Sequence, residues 1–184
     1  HISPKTAVAI SYFHGKPEDG PDMARHVDAF RGAMDKIDRV IVANTEVESR
    51  LRSWGVPDDR LVRIPIGVDT TLFTPPSPET RQAARRQFGI PDDRLAIGSF
   101  QKDGNGWGEG NDPKMVKGPD LFLEAVEKLA RDFPVFVLLT GPARGYVKTG
   151  LDEMGVPYAH HFLDDYLQIV SAYHALDLYL MTSR

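Results

Sequence analysis

The sequence predicts an α/β protein with parallel sheets in two domains. Three observations point there: short apolar runs rich in β-branched residues, helical spacing between them, and one proline cluster that divides the chain. The runs at residues 7–13, 40–43, 61–64, 95–100, 135–140 and 176–181 are near-continuous rather than alternating, which suits strands covered on both faces. Between them Met23, Val27, Phe30 and Met34 recur every three or four residues, as do Leu121, Phe122, Ala125, Val126 and Leu129. Both stretches predict amphipathic helices. A further helix is predicted over residues 164–173, through Leu167, Ile169, Val170 and Ala172.

Stop signals delimit these elements. Gly55 follows Trp54 and Gly89 follows Phe88, and each glycine leads to a proline two residues on, Pro57 and Pro91. The two stretches share a helix C-cap, a Pro-Asp turn and a strand start, so they read as one local solution used twice rather than as a solenoid repeat. Pro75, Pro76 and Pro78 cannot sit in a central strand or a helix interior, and a domain linker is placed there. Ser77 then caps a short charged helix with Pro78 at its first position and Arg81 to Arg86 on its solvent side. Residues 103–113, with four glycines and Trp107, predict a long flexible loop with an anchor.

Composition narrows the classes of function. At 184 residues, 41% hydrophobic and 26% charged, the chain suits a soluble globular protein of one large or two small domains. A net charge of -4 argues against nucleic acid or an anionic membrane as the main partner, since both require a basic field. With no cysteine there is no disulfide framework and no thiolate metal site, which fits a reducing compartment. The cytosol, or a peripheral position at the inner membrane face, is the expected location. No apolar run approaches the roughly 18 residues of a membrane span. The opening His1, Ile2, Ser3, Pro4 and Lys5 show no signal-peptide pattern and no initiator Met, so the chain is expected to be a fragment.

The order of motifs carries a resemblance. Residues 38–73, DRVIVANTEVESRLRSWGVPDDRLVRIPIGVDTTLF, run as strand, Asn, helix, Gly-Val, strand and then Pro65-Ile66-Gly67-Val68-Asp69. This resembles the hallmark of family-four GT-B glycosyltransferases, in which an Asn usually stands where this chain has Ile66. The second half follows the same family order: a strand at 95–100, Lys117-Gly118 opening a helix, a strand at 135–140 with Gly141-Pro142, and the closing Met181-Thr182-Ser183-Arg184. The resemblance implies two Rossmann-like domains with parallel sheets, both incomplete. Residues 1–74 would be the C-terminal part of the N-terminal, acceptor-side domain, and residues 75–184 the first part of the C-terminal, nucleotide-sugar donor domain.

The activity so implied is transfer of a hexose from a nucleoside-diphosphate sugar to an acceptor hydroxyl with retention of anomeric configuration. The acceptor is a glycan, a lipid or a small metabolite. The nucleotide-sugar is a co-substrate, and neither a cofactor nor a metal ion is called for. The family's N-terminal glycine-rich loop and its C-terminal pair of glutamates lie outside the chain, so the fragment is expected to be inactive alone. Two other functions stay open: a nucleotide-sugar 2-epimerase of the same fold, and a non-catalytic sugar- or nucleotide-binding module.

The resemblance also assigns residues. Lys117 would lie over the donor diphosphate, before a helix whose free N–H groups and dipole favour anions; the alternative is a solvated lysine at a helix start. Lys102 falls where the family has a phosphate-binding Arg and keeps the charge without the bidentate fork. His14, at a strand's carboxyl end, would hydrogen-bond the sugar or leaving phosphate, or else satisfy a loop backbone. Gly118, Gly141, Pro142 and Arg144 would flank the donor, although residues 141–145 also suit a plain strand-to-helix turn. Trp107 would belong to a lid over the substrate or to a disordered surface insertion. His160-His161 and Asp164-Asp165 are not taken as metal ligands, because adjacent histidines on a strand face opposite ways and the aspartates suit a helix start.

Overall fold

The computed structural model describes residues 6–184, so the opening five, read above for targeting signals, lie outside the described residues. The chain divides into two compact units, His1–Val68 and Asp69–Arg184. The division falls ahead of the proline cluster, and the expected linker lies within the second unit. Its anchors explain why. Phe73 packs edge-on against Tyr173 with centroids 6.1 Å apart, and the Thr74 carbonyl meets His174 Nε2 at 2.9 Å.

The first unit holds three parallel strands, β1 (Ala9–Tyr12), β2 (Arg39–Val42) and β3 (Leu61–Arg63), in the order β1-β2-β3. Two helices, α1 (Pro21–Gly32) and α2 (Thr45–Ser53), connect them. The Asn44 side chain accepts from Val47 N–H at 2.8 Å and so caps α2, while Gly55, with φ of 89°, turns the chain after it. Val27 and Phe30 of α1, Val47 and Leu51 of α2, and Tyr12, Val40 and Val42 of the strands are all buried.

The second unit holds β4 (Leu95–Ser99), β5 (Val135–Thr140), β6 (Tyr158–His161) and β7 (Leu178–Tyr179), all parallel, in the order β6-β5-β4-β7. Helices α3 (Pro78–Gln87), α4 (Pro119–Ala130), α5 (Gly145–Glu153) and α6 (Gln168–His174) complete it. Every residue of β5 is buried, and its alternate side chains serve two cores. Val135, Val137 and Leu139 meet Phe122 and Val126 of α4 and Val147 and Leu151 of α5. Phe136 and Leu138 meet Ala84 of α3, Ala172 of α6, Phe88 and Leu176. This three-layer packing is what the unalternating runs predict, and the fold expectation of parallel α/β sheets holds.

Three local readings change. The strand β6 reads poorly in sequence because Tyr158-Ala-His-His161 is a half-buried edge strand with no apolar run. The α3 arginines are not all on the solvent side: Arg85 is 5% exposed and donates to the carbonyls of Pro91 and Arg94, and both Arg81 and Arg85 pair with Asp177. Asp177 also accepts the Ala96 N–H at 2.8 Å, so these charges tie α3 to the amino ends of β4 and β7. Finally, α6 begins at Gln168; Asp165 instead accepts the Leu167 N–H at 2.9 Å in a turn ahead of it.

Among the described residues no helix is long and apolar enough to cross a membrane. Phe122 carries the largest apolar load of the second unit, fully buried between α4 and β5. Its replacement by Ala should destabilise that unit by about 3–5 kcal/mol. Urea titration should then show a lower midpoint with an unchanged slope.

Candidate functional site

In an open parallel sheet the carboxyl ends of the strands share one edge, and a crevice forms where neighbouring strands lead off to opposite sides. In the second unit that point is β4, flanked by β5 on one side and β7 on the other. The Lys117-Gly118 turn is stitched onto this edge. Gln101, just past β4, donates from Nε2 to the Lys117 carbonyl at 2.8 Å, and Thr182, past β7, donates to the same oxygen at 3.2 Å. Ser183 bridges back to Gln101 Oε1 at 3.2 Å. Arg184 N–H reaches the Val116 carbonyl at 3.0 Å, and its guanidinium reaches the Met115 carbonyl at 2.6 Å.

Gly118 is required by geometry. Its φ of 61° is left-handed, and a Cβ there would overlap the Thr182 carbonyl. Helix α4 then starts at Pro119, whose missing N–H belongs to the unpaired set at any helix start. Asp120 occupies the first turn. Arg184 beside it, and then the Leu121 N–H, hold its carboxyl below the usual carboxylate range. The positive end of α4 thus already faces one carboxylate, and the turn before it carries the half-buried Lys117.

Lys102 and Trp107 form a pair, with Lys102 Nζ 3.8 Å from the indole ring centroid. Trp107 is 83% exposed, so one aromatic face is presented at the edge where β4 ends. The loop that bears it is neither loose nor disordered at its base. Gly104 bridges to Pro113, Asn105 N–H donates to the Asp112 carbonyl at 2.8 Å, and Lys114 N–H donates to the Asp103 carbonyl at 2.7 Å. Gly104 and Gly110 lie so close to the Ala143 backbone that any Cβ would overlap it. The Glu109 and Gly110 carbonyls accept the first N–H groups of α5, from Gly145 at 2.6 Å and Tyr146 at 3.0 Å. The tip, residues 105–109, is exposed throughout, as are Asn111 and Asp112.

Arg144 departs most from its expected role as a donor-binding cation. It is 1% exposed, and its guanidinium donates to the Ser99 carbonyl at 2.7 Å, to Ser99 Oγ at 2.9 Å and to the Thr140 carbonyl at 3.0 Å. Arg144 Nη2 also lies 3.0 Å from Asp103 Oδ2. With both of its Nη groups engaged inside the protein and almost no exposed surface, Arg144 braces β4, β5 and the loop instead of offering itself to a ligand. Burial pushes the Asp103 carboxyl above the usual carboxylate range, with Arg144 pulling the other way.

The other expected residues fall as follows. Gly141, with φ of 84°, ends β5 on the same edge, and its carbonyl meets His160 Nε2 at 2.7 Å. Pro142 follows half-buried, and Ala143 takes a φ of 57° that strains a non-glycine residue. His161 faces the other way and packs edge-on against Phe88 at 5.3 Å. His14 belongs to the first unit, exposed in a bend after β1; the next carbonyl, of Gly15, accepts from Tyr12 and Arg50. Lys102, Lys117, Gly118, Gly141 and Pro142 therefore share the strand-end edge of one sheet. Gln101, Thr182 and Asp103 were not legible as participants, since each reads as an ordinary loop polar residue until its partner far along the chain is known.

A cavity of about 560 Å³ opens at the opposite edge, lined by Arg81, Arg85, Arg94 and Asp177 among others. Its arginines are spoken for: Arg94 donates to the Val135 carbonyl, and the others serve Asp177 and backbone carbonyls. The chemistry of an anionic ligand favours the carboxyl edge.

No protein-family profile matches the chain. Among curated proteins it is 30% identical over 179 residues to a D-inositol 3-phosphate glycosyltransferase of Mycolicibacterium smegmatis, covering 90% of this chain and 37% of that protein. A protein of the same description from Corynebacterium aurimucosum is 27% identical over 195 residues, covering 97% of this chain and 43% of that one. The chain spans less than half the length of these relatives. Among solved structures, Anabaena HepE in complex with UDP and glucose superposes with a TM-score of 0.67 at 21% identity, over 94% of this chain and 46% of that one. WaaG, a glycosyltransferase involved in lipopolysaccharide biosynthesis, gives 0.65 at 18% identity, over 98% and 54%. The expected resemblance to glycosyltransferases and the GT-B, Rossmann-like fold are both borne out.

The docked loop makes its glycines unequal. Gly106 has φ of 69° with open space around it, so Ala there should cost only the strain of a left-handed backbone, about 1–2 kcal/mol. At Gly110 the Ala143 backbone stands in the way as well, and Ala should cost about 3 kcal/mol or more. Thermal unfolding of the two variants side by side reads the difference.

Proposed function

We propose that this chain, which shares its fold with GT-B glycosyltransferases and its sequence with curated members of that group, is part of a retaining glycosyltransferase. It moves a hexose from a nucleoside-diphosphate sugar to an acceptor hydroxyl, and the second unit holds the donor. The single observation that carries the reading is the stitching of the Lys117-Gly118 turn, through Gln101 and Thr182, to the ends of β4 and β7 at the point where the sheet changes direction. A solved neighbour of this fold was obtained with UDP and glucose, which suits a nucleotide-sugar donor.

The chemistry asked of the residues is electrostatic. Breaking the bond between the sugar's anomeric carbon and the diphosphate oxygen develops negative charge on the leaving phosphate, while the acceptor oxygen forms the new glycosidic bond and its proton passes to the departing diphosphate. Lys117 and Lys102 would neutralise that charge as point cations, the service a divalent ion renders elsewhere. Gly141 lacks a side chain where a nucleotide would come near the backbone, and Gly118 lets the turn that carries Lys117 pack against the Thr182 carbonyl beside the donor. Pro142 would flank the donor.

Two measurements test this. In the complete enzyme, replacing Lys117 by Ala should remove a charge-assisted contact of about 1.5–3 kcal/mol, lowering the donor-dependent transfer rate roughly 10- to 150-fold and weakening UDP binding in calorimetry. A change below about threefold removes Lys117 from the site. Because lysines supply the positive charge, a chelator such as EDTA should leave the transfer rate unchanged, and its abolition by EDTA would contradict that role.

A further inference from the structure

The buried pair at the foot of the glycine-rich loop has no role in the proposed reaction, yet its energetics are unusual. Asp103 is fully buried and Arg144 is 1% exposed. Their closest atoms are 3.0 Å apart but not aligned for a hydrogen bond, so neither Asp103 oxygen has a hydrogen-bond partner, and Arg144 Nε has none either. A buried ion pair with unsatisfied lone pairs stabilises a fold no better than an apolar pair of similar volume. What it does enforce is one arrangement, because any other strands a charge away from water.

That arrangement governs the site. Arg144 is locked to the ends of β4 and β5 through Ser99 and Thr140, so the Asp103 carboxylate is drawn to a fixed point between two strands. The Asp103 carbonyl is taken by Lys114 N–H, and Gly104 is pressed against Ala143. The peptide on either side of Asp103 therefore has little freedom, and its neighbour Lys102 is turned outward with its ammonium over Trp107. We propose that Asp103 is a positioning residue that, through Arg144, aims Lys102 and the Trp107 face at the carboxyl edge of the sheet, where the diphosphate of the donor binds. This rests on the reading that the edge takes a nucleoside diphosphate.

The test uses the full chain, with UDP as the probe, and the paired replacement D103L/R144M, which removes both charges at once. Two readings are taken, each with and without Lys102→Ala. One is UDP affinity by calorimetry; the other is Trp107 emission in the absence of ligand, isolated as the difference that Lys102→Ala makes. In the native chain Lys102→Ala should shift the emission and weaken UDP binding about tenfold. In the D103L/R144M background, binding should already be about tenfold weaker, and Lys102→Ala should change neither reading further, since the lysine is no longer aimed. Retention of native affinity, or of the full Lys102 effect on both readings, in a folded D103L/R144M chain overturns the proposal. If the native chain binds no UDP but the emission coupling disappears with the pair, the diphosphate reading fails while the positioning of Lys102 stands. Should D103L/R144M not fold, Asp103→Asn, which keeps the shape and removes the charge, gives the same two readings.

Discussion

One buried guanidinium holds the strand-end edge of the second unit together. Arg144 offers N–H groups in a planar fork; its acceptors are the Ser99 backbone and hydroxyl at the end of β4 and the Thr140 carbonyl at the end of β5, and its charge faces Asp103 at the start of the loop. A lysine could not serve acceptors so arranged, because its single nitrogen must sit near all of them at once. The result is that two central strands and a long excursion of the chain end in a fixed mutual geometry. The carboxyl edge of the sheet is thus held by contacts within the protein itself.

The two helices that start on this edge are treated differently. At α5 the first amides of Gly145 and Tyr146 are taken by the loop carbonyls of Glu109 and Gly110, so that helix start is filled by the protein's own backbone. At α4 the start is marked by Pro119 and Asp120, with Arg184 beside the carboxylate, and the turn before it carries Lys117. Neither helix start therefore presents a full set of free amides, and in the proposed reading the lysine ammoniums carry more of the anion's charge. The glycine-rich loop gains a definite purpose: it plugs one helix start and presents an exposed aromatic face braced by Lys102.

Fold and function draw on the same residues at the Lys117-Gly118 turn. Gly118 must be glycine for packing alone, since the Thr182 carbonyl leaves no room for a Cβ and the backbone is left-handed. On the α6 side of the sheet, Phe100, Tyr173 and Tyr179 form an aromatic cluster with ring centroids about 5 Å apart, backing the end of β4 with apolar surface. Burial there pushes the Tyr173 hydroxyl up to about 12, so it stays neutral across the physiological range.

Much of this was written in local pattern. The unalternating runs at β4 and β5, the spacing of Phe122 and Val126, the Asn44 and Ser77 caps and the stops at Gly55 and Gly89 each depend on residues a few positions apart, so periodicity and stereochemistry alone reveal the parallel α/β layers. The family resemblance placed Lys117-Gly118 at a helix start and Gly141-Pro142 at a strand end. Polar residues were another matter. That Arg144 and Asp103 are withdrawn from water, that Arg85 turns inward to Asp177, that Tyr158–His161 pairs as an edge strand, and that the glycine-rich loop is docked at its base all depend on partners distant in the chain. A charged residue looks the same in sequence whether solvated or paired, because its burial is decided by which carboxylates and carbonyls the folded strands bring within reach.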